Sequence, residues 1–340
     1  MKNVIGFGDF LVRLSPPGYR RFMQADELEI NYTGAEANVL VSLSMMGQAT
    51  QFVTKVPRND VAMTAVTSLR RYGVGTDHIA YGGERMGVFY LEKGASQRPS
   101  KIVYDRKYTS IATAKTEDFD WDAIFNNAEW LHITGITPAL SETMPQVCID
   151  ACQIAHEKGL MISCDLNYRK NMWSQAQAKQ TMERILPMVD ILLANEEDAD
   201  KVLGICATDT DVIAGRLNHN GYADVARQIV ERYGVKAVAV TLRRSISASD
   251  NEWAAMLYAD GKPYFSKSYA IHIVDRVGGG DSFAAGLIFA MMHQYDSQKA
   301  IEYAVAASCL KHSIEMDFNL STEAEINNLM AGDGSGRVQR

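Results

Sequence analysis

The chain is 340 residues long, 47% hydrophobic and 22% charged, enough apolar material for a large buried core in an ordinary globular protein. Its formal charge of −7, with no long run of one sign, excludes a general nucleic-acid surface, which needs a clustered basic face. No apolar run approaches a membrane span, and the N-terminus enters an apolar strand without a signal-type hydrophobic region, so a cytoplasmic, non-membrane protein is expected.

Val4 to Gly8 reads as a short strand ending at Asp9, and its G-F-G lacks the third glycine of a dinucleotide fingerprint. L-V-R-L-S at 11 to 15 and E-L-E-I-N-Y at 27 to 32 alternate like half-exposed antiparallel strands. Thr33 to about Met46 is a helix closed by Gly47, residues 50 to 56 are a strand, and 60 to 72 form a helix ending at Gly73. M-G-V-F-Y-L-E at 86 to 92 and K-I-V-Y-D-R at 101 to 106 alternate again, with Phe89, Leu91, Ile102 and Tyr104 on one side and Tyr90 and Val103 on the other. Two such excursions can pair into one small sheet, a lid beside an α/β core.

From Trp130 onward, continuous apolar strands ending at Asp165, Asn195 and Thr241–Leu242 alternate with helices, the pattern of strands covered on both faces. The expected fold is α/β, a doubly wound, mostly parallel sheet flanked by helices. Residues 1–335 form one domain, with lid strands inserted at about 10–33 and 85–108, a polar connection from Cys206 to Tyr222, and a flexible tail over 331–340. Five scattered cysteines without a CxxC pair fit reduced thiols. Cys148, Cys152 and His156 share a helical face at a spacing that could ligate a metal, but apolar burial is the commoner fate of such cysteines.

Gly278, Gly279 and Gly280 precede Asp281 at the start of a strongly apolar helix. A helix start offers orphan N–H groups and the positive end of the macrodipole, and glycines let the amides converge on an anion. Asp281 at the same point could take a proton from a hydroxyl. Taken alone, these residues equally allow a plain glycine turn with Asp281 as N-cap. Ligands of open α/β sheets bind beyond the carboxyl ends of the strands, which here carry Asp9, Asp165 to Arg169, Asn195 to Asp198, Thr241 to Arg244 and the glycine turn.

The order G-A-E-A-N, D-L-N-Y-R, N-E-E-D and D-R-V-G-G-G-D-S-F resembles the PfkB family of carbohydrate kinases, with a ribokinase-like fold, over essentially the whole chain. With V-Y-D-R, T-L-R-R-S-I-S-A-S-D and K-H-S-I-E-M-D-F-N, the set is most similar to family members acting on 2-keto-3-deoxygluconate. The resemblance implies ATP-dependent phosphorylation of that sugar acid to its 6-phosphate, with Asp281 as base and Gly278, Gly279 and Gly280 as the anion hole. By the same resemblance, Asp9, Gly34, Asn38, Tyr90, Tyr104, Arg106, Arg169 and Asp317 face the sugar acid. Asn167, Asn195, Thr241, Arg243, Ser245, Gly278 and Gly280 face ATP. Asp198, shorter than the family's usual Glu, and Glu197 are the indirect magnesium contacts, and a monovalent cation is compatible with the family pattern. Two arginines suit a carboxylate better than a neutral sugar. A kinase of fructose or ribose and a non-catalytic sugar-acid sensor are the alternatives, and a homo-oligomer is expected. No G-x-x-x-x-G-K-[ST] occurs, so a P-loop is excluded.

Overall fold

The computed structural model describes residues 2–206 and 219–334, and most of the connection expected over Cys206 to Tyr222 and of the tail expected over 331–340 lies outside them. The centre is a nine-stranded sheet. Across it run Lys262–Phe265, Asp250–Ala259, Ala237–Ser245, Ile191–Ala194, Met161–Asp165, Ala128–Thr134, Asn3–Phe7 and Thr50–Val53, with Tyr269–His272 added to Asp250–Ala259. From Ala237–Ser245 to Thr50–Val53 the strands are parallel, and the rest are antiparallel.

Both faces are covered, which explains the unbroken apolar strands. Val4 packs with Leu40, Leu287 and Ala304 on one side, while Ile5 packs with Val147 and Met182 on the other. Cys148, Cys152 and Cys164 are buried in that second cluster, and among the described residues no group of three His, Cys, Asp or Glu stands at metal-ligand spacing.

The chain moves from Asn3–Phe7 outward to Thr50–Val53, then returns to the other side with Ala128–Thr134. The carboxyl ends of Asn3–Phe7 and Ala128–Thr134 therefore flank the switch point, where a crevice opens. Two helices start there. Ala35–Met45 begins after Gly34, and Gly279–Met292 begins after Gly278. Every residue of the latter from Ser282 to Ala290 is buried, as a helix apolar on all sides must be. It starts two residues earlier than expected, because Gly278 takes the left-handed conformation, φ 83°, as its N-cap.

The two β excursions meet in one four-stranded sheet ordered Glu29–Thr33, Leu11–Ser15, Gly87–Glu92, Lys101–Asp105. Its central pair, Leu11–Ser15 with Gly87–Glu92, is parallel, whereas the outer pairs are antiparallel. Among the described residues, no helix is long and apolar enough to cross a membrane.

Candidate active site

The crevice is a cavity of about 490 Å³ roofed by the lid and floored by the strand ends. Neither Gly34 nor Gly278 provides a side-chain cap, so two helix starts leave amides for whatever binds there. The glycines are needed for close approach. A Cβ on Gly34 would collide with the Asp9 carbonyl, one on Gly278 with the Asp317 carbonyl, and one on Gly279 would come 2.6 Å from the His312 ring. Gly280 differs, because nothing lies within 4 Å of its missing Cβ and it faces the cavity.

Asp281, in the first turn of Gly279–Met292, also lines the cavity. Its Oδ2 accepts a hydrogen bond of 2.6 Å from Asn38 Nδ2, which ties the two helix starts together. Asn38 Oδ1 is held in turn by Thr33 Oγ1 at 3.0 Å. Burial pushes the Asp281 carboxyl up to about 6 against the Asn38 bond, with the negative charge of Asp317 adding to the rise.

Two further acids stand at strand ends. Asp165 is pushed up to about 8, first by burial and then by Asp198 and Asp281. Asp198 is pushed up to about 6 by burial, with Arg169 opposing. Asn195 and Asp198 grip each other: the Asp198 amide donates to Asn195 Oδ1 at 2.9 Å and Asn195 Nδ2 to Asp198 Oδ2 at 2.8 Å. Glu197 lines the cavity too, but its carboxylate is paired with Lys201. These oxygens suit a hard cation such as magnesium, which takes one or two carboxylates and completes its shell with water and phosphate.

On the lid side, Arg106 Nη2 binds Asp9 Oδ2 at 2.7 Å and the guanidinium lies 5.1 Å from the centre of the Tyr104 ring. Asp9 Oδ1 and Arg106 Nε are buried without a partner among the described residues, and both residues line the cavity. Unmet polar groups of this kind invite a polar ligand. Arg169, Arg243 and Arg276 line the cavity with no ion pair at salt-bridge distance among the described residues, whereas Arg244 points away to Glu252 at 2.9 Å. Three guanidinium groups without a salt-bridge partner at contact distance are open to an anion in the crevice, although Asp165, Asp198 and Asp281 act on Arg169 from further off.

Asn167, Thr241 and Asp317 complete the expected residues on the cavity wall. Two expectations are corrected. Tyr90 lies opposite Val103 and Leu14 on the other face of the lid, 6.5 Å from the Phe22 ring, and Phe89, opposite Tyr104, lines the cavity instead. Strand alternation had already put Tyr90 on the side away from Tyr104, so motif spacing misled where pleat parity did not. Ser245 is exposed, on the face of Thr241 and Arg243 but beyond the cavity rim.

Other groups escaped sequence reading. Glu36 is fully enclosed. Its Oε1 accepts from the Thr134 amide at 3.0 Å and from the Thr134 and Thr137 hydroxyls, each at 2.8 Å, which binds the first helix to the switch point. Burial pushes that carboxyl up to about 7. Arg13, expected on a half-exposed strand, is wholly buried between Asp275 and Asp317. Only the glycine at position 8, whose missing Cβ makes room for the Glu36 carboxylate, hinted at the first of these.

An open, mostly parallel sheet with a glycine turn and a carboxylate at its crevice, closed by a separate β lid, defines a small-molecule kinase of ribokinase-like architecture. The model of the pfkB family carbohydrate kinases matches residues 1–313, and the chain belongs to that family. A 2-dehydro-3-deoxygluconokinase of Thermotoga maritima superposes with a TM-score of 0.94 at 48% identity, over 98% of this chain and 100% of that one. A putative 2-keto-3-deoxygluconate kinase of Enterococcus faecalis gives 0.92 at 25% identity, over 100% and 99%. A 2-dehydro-3-deoxygalactonokinase of Haloferax volcanii is 29% identical over 98% of both chains.

Proposed function

We propose that the enzyme transfers the γ-phosphoryl group of ATP to the terminal hydroxyl of 2-keto-3-deoxy-D-gluconate, giving the 6-phosphate and ADP. The observation that carries the chemistry is the placement of the Asp281 carboxylate beside the open amides of the glycine turn in one cavity. Asp281 takes the hydroxyl proton as the oxygen attacks phosphorus and the bond to the β-phosphate breaks. The amides of the turn hold the charge on the transferring group. Arg243 stands on the ATP side, and Arg169 and Arg106 hold the sugar-acid carboxylate. Magnesium, when bound with the nucleotide, would neutralise phosphate charge, and Asp198 and Glu197 are the residues that would contact it indirectly, through water. The lid keeps water from the γ-phosphate.

The likeness to the Thermotoga maritima enzyme supports the gluconate epimer, and the Haloferax volcanii relative makes the galactonate epimer the second reading. ADP release with both epimers, fructose and ribose tests the assignment. The gluconate epimer is expected to give the highest kcat/KM. Arg169→Ala is expected to cost about 10 to 100-fold in kcat/KM on the acids, as loss of a charged hydrogen bond does, and little on neutral sugars. A wild type that prefers fructose or ribose rejects the proposal.

Gly280→Ala separates the ligand-facing role of the turn from its structural one. The new methyl meets nothing within 4 Å, so the melting temperature should hold or rise. It projects into the space proposed for the phosphoryl group, so turnover should fall by about 10²-fold or more. An active Gly280→Ala enzyme would remove the turn from the reaction.

We also propose a homo-oligomer. Ile30, Leu14, Tyr90 and Val103 form a cross-strand row on the lid face away from the cavity, with Ile30 64% and Val103 57% exposed.

A further inference from the structure

Lys311 closes helix Ser297–Lys311 and has no exposed surface. Its Nζ donates to the main-chain carbonyl oxygens of Asp275, at 3.2 Å, and Ile314, at 3.1 Å. It makes no ion pair at salt-bridge distance among the described residues. Its charge is balanced instead within a buried group of two cations, Arg13 and Lys311, and two carboxylates, Asp275 and Asp317. Burial lowers the ammonium to about 8, while Asp275, Asp317 and Asp281 oppose the fall and Arg13 adds to it.

The Lys311 stem passes directly under the glycine turn, with Cε 3.3 Å from the point where Gly278 would carry a Cβ. The surrounding bonds show what is being held. The Val274 amide donates to the His312 carbonyl at 2.8 Å, and Ser308 Oγ to the Gly279 carbonyl at 2.7 Å. Lys311 therefore bridges the segment that carries the glycine turn and the loop that follows its own helix. An ammonium is a compact point charge, and carbonyl oxygens are the ligands that replace the hydration shell of a potassium-sized ion. A methionine or leucine could fill the same volume without the cost of burying a charge.

We infer that Lys311 is a positioning residue, a tethered cation that fills the carbonyl pocket behind the glycine turn and removes the need for a bound monovalent ion there. A covalently held charge cannot dissociate, so the turn keeps its shape whatever salt surrounds the protein. The inference rests on the glycine turn being the phosphoryl-holding element.

The test compares kinase turnover in tetramethylammonium chloride and in KCl at equal ionic strength. Wild type is expected to be indifferent to the salt. Lys311→Ala is expected to lose on the order of 10²-fold in kcat, as a small displacement of reacting groups does, with the KM for the sugar acid little changed. KCl or NH4Cl should restore most of that loss in Lys311→Ala. Strong activation of wild type by KCl overturns the inference, as does a folded Lys311→Ala that keeps its kcat or is not restored. Where Lys311→Ala does not fold, Lys311→Gln, which keeps an N–H donor and loses the charge, replaces it with the same expectations. A wild type inactive on every sugar counts against the proposed reaction. The melting temperature of the variant then decides this inference without turnover: a rise in KCl over tetramethylammonium chloride supports it, and no rise overturns it.

Discussion

Asp281→Asn should lower kcat by about 10²–10⁴-fold, the usual contribution of a positioned base, while the sugar acid binds nearly as before. The substitution keeps shape and an oxygen that can still accept the 2.6 Å bond from Asn38, so the link between the two helix starts survives. Basicity alone is removed. The pH profile supplies an independent check. A base works when deprotonated, and burial has raised Asp281 to about 6, so kcat/KM of wild type should rise with pH through about 6 rather than near the usual carboxylate range. The residual activity of Asp281→Asn should lose the Asp281 part of that limb and keep only what Asp198, which burial also raises to about 6, contributes. Equal losses in binding and turnover, or an unchanged limb in the variant, would assign Asp281 a structural role.

Arg13→Met is expected to destabilise the fold by about 3–5 kcal/mol, the range for breaking a buried ion pair from one side. Arg13 has no exposed surface. Its Nη2 binds Asp275 Oδ2 at 2.6 Å, its Nη1 binds Asp317 Oδ1, and its Nε donates to Ser15 Oγ at 2.9 Å. Methionine fills much of the volume but leaves two buried carboxylates sharing one cation, Lys311. Adding Asp275→Asn should recover part of the loss, because it leaves one buried carboxylate, Asp317, facing one buried cation, Lys311. Urea denaturation of the three proteins measures both effects. A loss below about 1 kcal/mol, the level of an exposed pair, would show that the cluster is wet rather than buried.

Arg13 also marks the boundary between sequence and structure. Its strand, L-V-R-L-S, alternates as a half-exposed strand should, and nothing local distinguishes Arg13 from a solvated arginine. Its partners lie 262 and 304 residues further along the chain. Arg243 and Arg244 present a milder case: adjacent on one strand, they must point to opposite faces, and only Arg243 lines the cavity. Sequence parity separates the two but does not say which face is the cavity's.

Local patterns were enough for the features that arise locally. Unbroken apolar strands between helices require a sheet covered on both sides, and three glycines before Asp281 permit an open helix start, because backbone conformation is set largely by neighbouring residues. The tertiary structure alone decided that Phe89 rather than Tyr90 lines the cavity, that Glu36 closes the switch point, and that Arg13 and Lys311 are buried. Each of those outcomes depends on which distant backbone covers a side chain. A charge or a ring carries no record in its own sequence neighbourhood of the surface that will eventually lie against it.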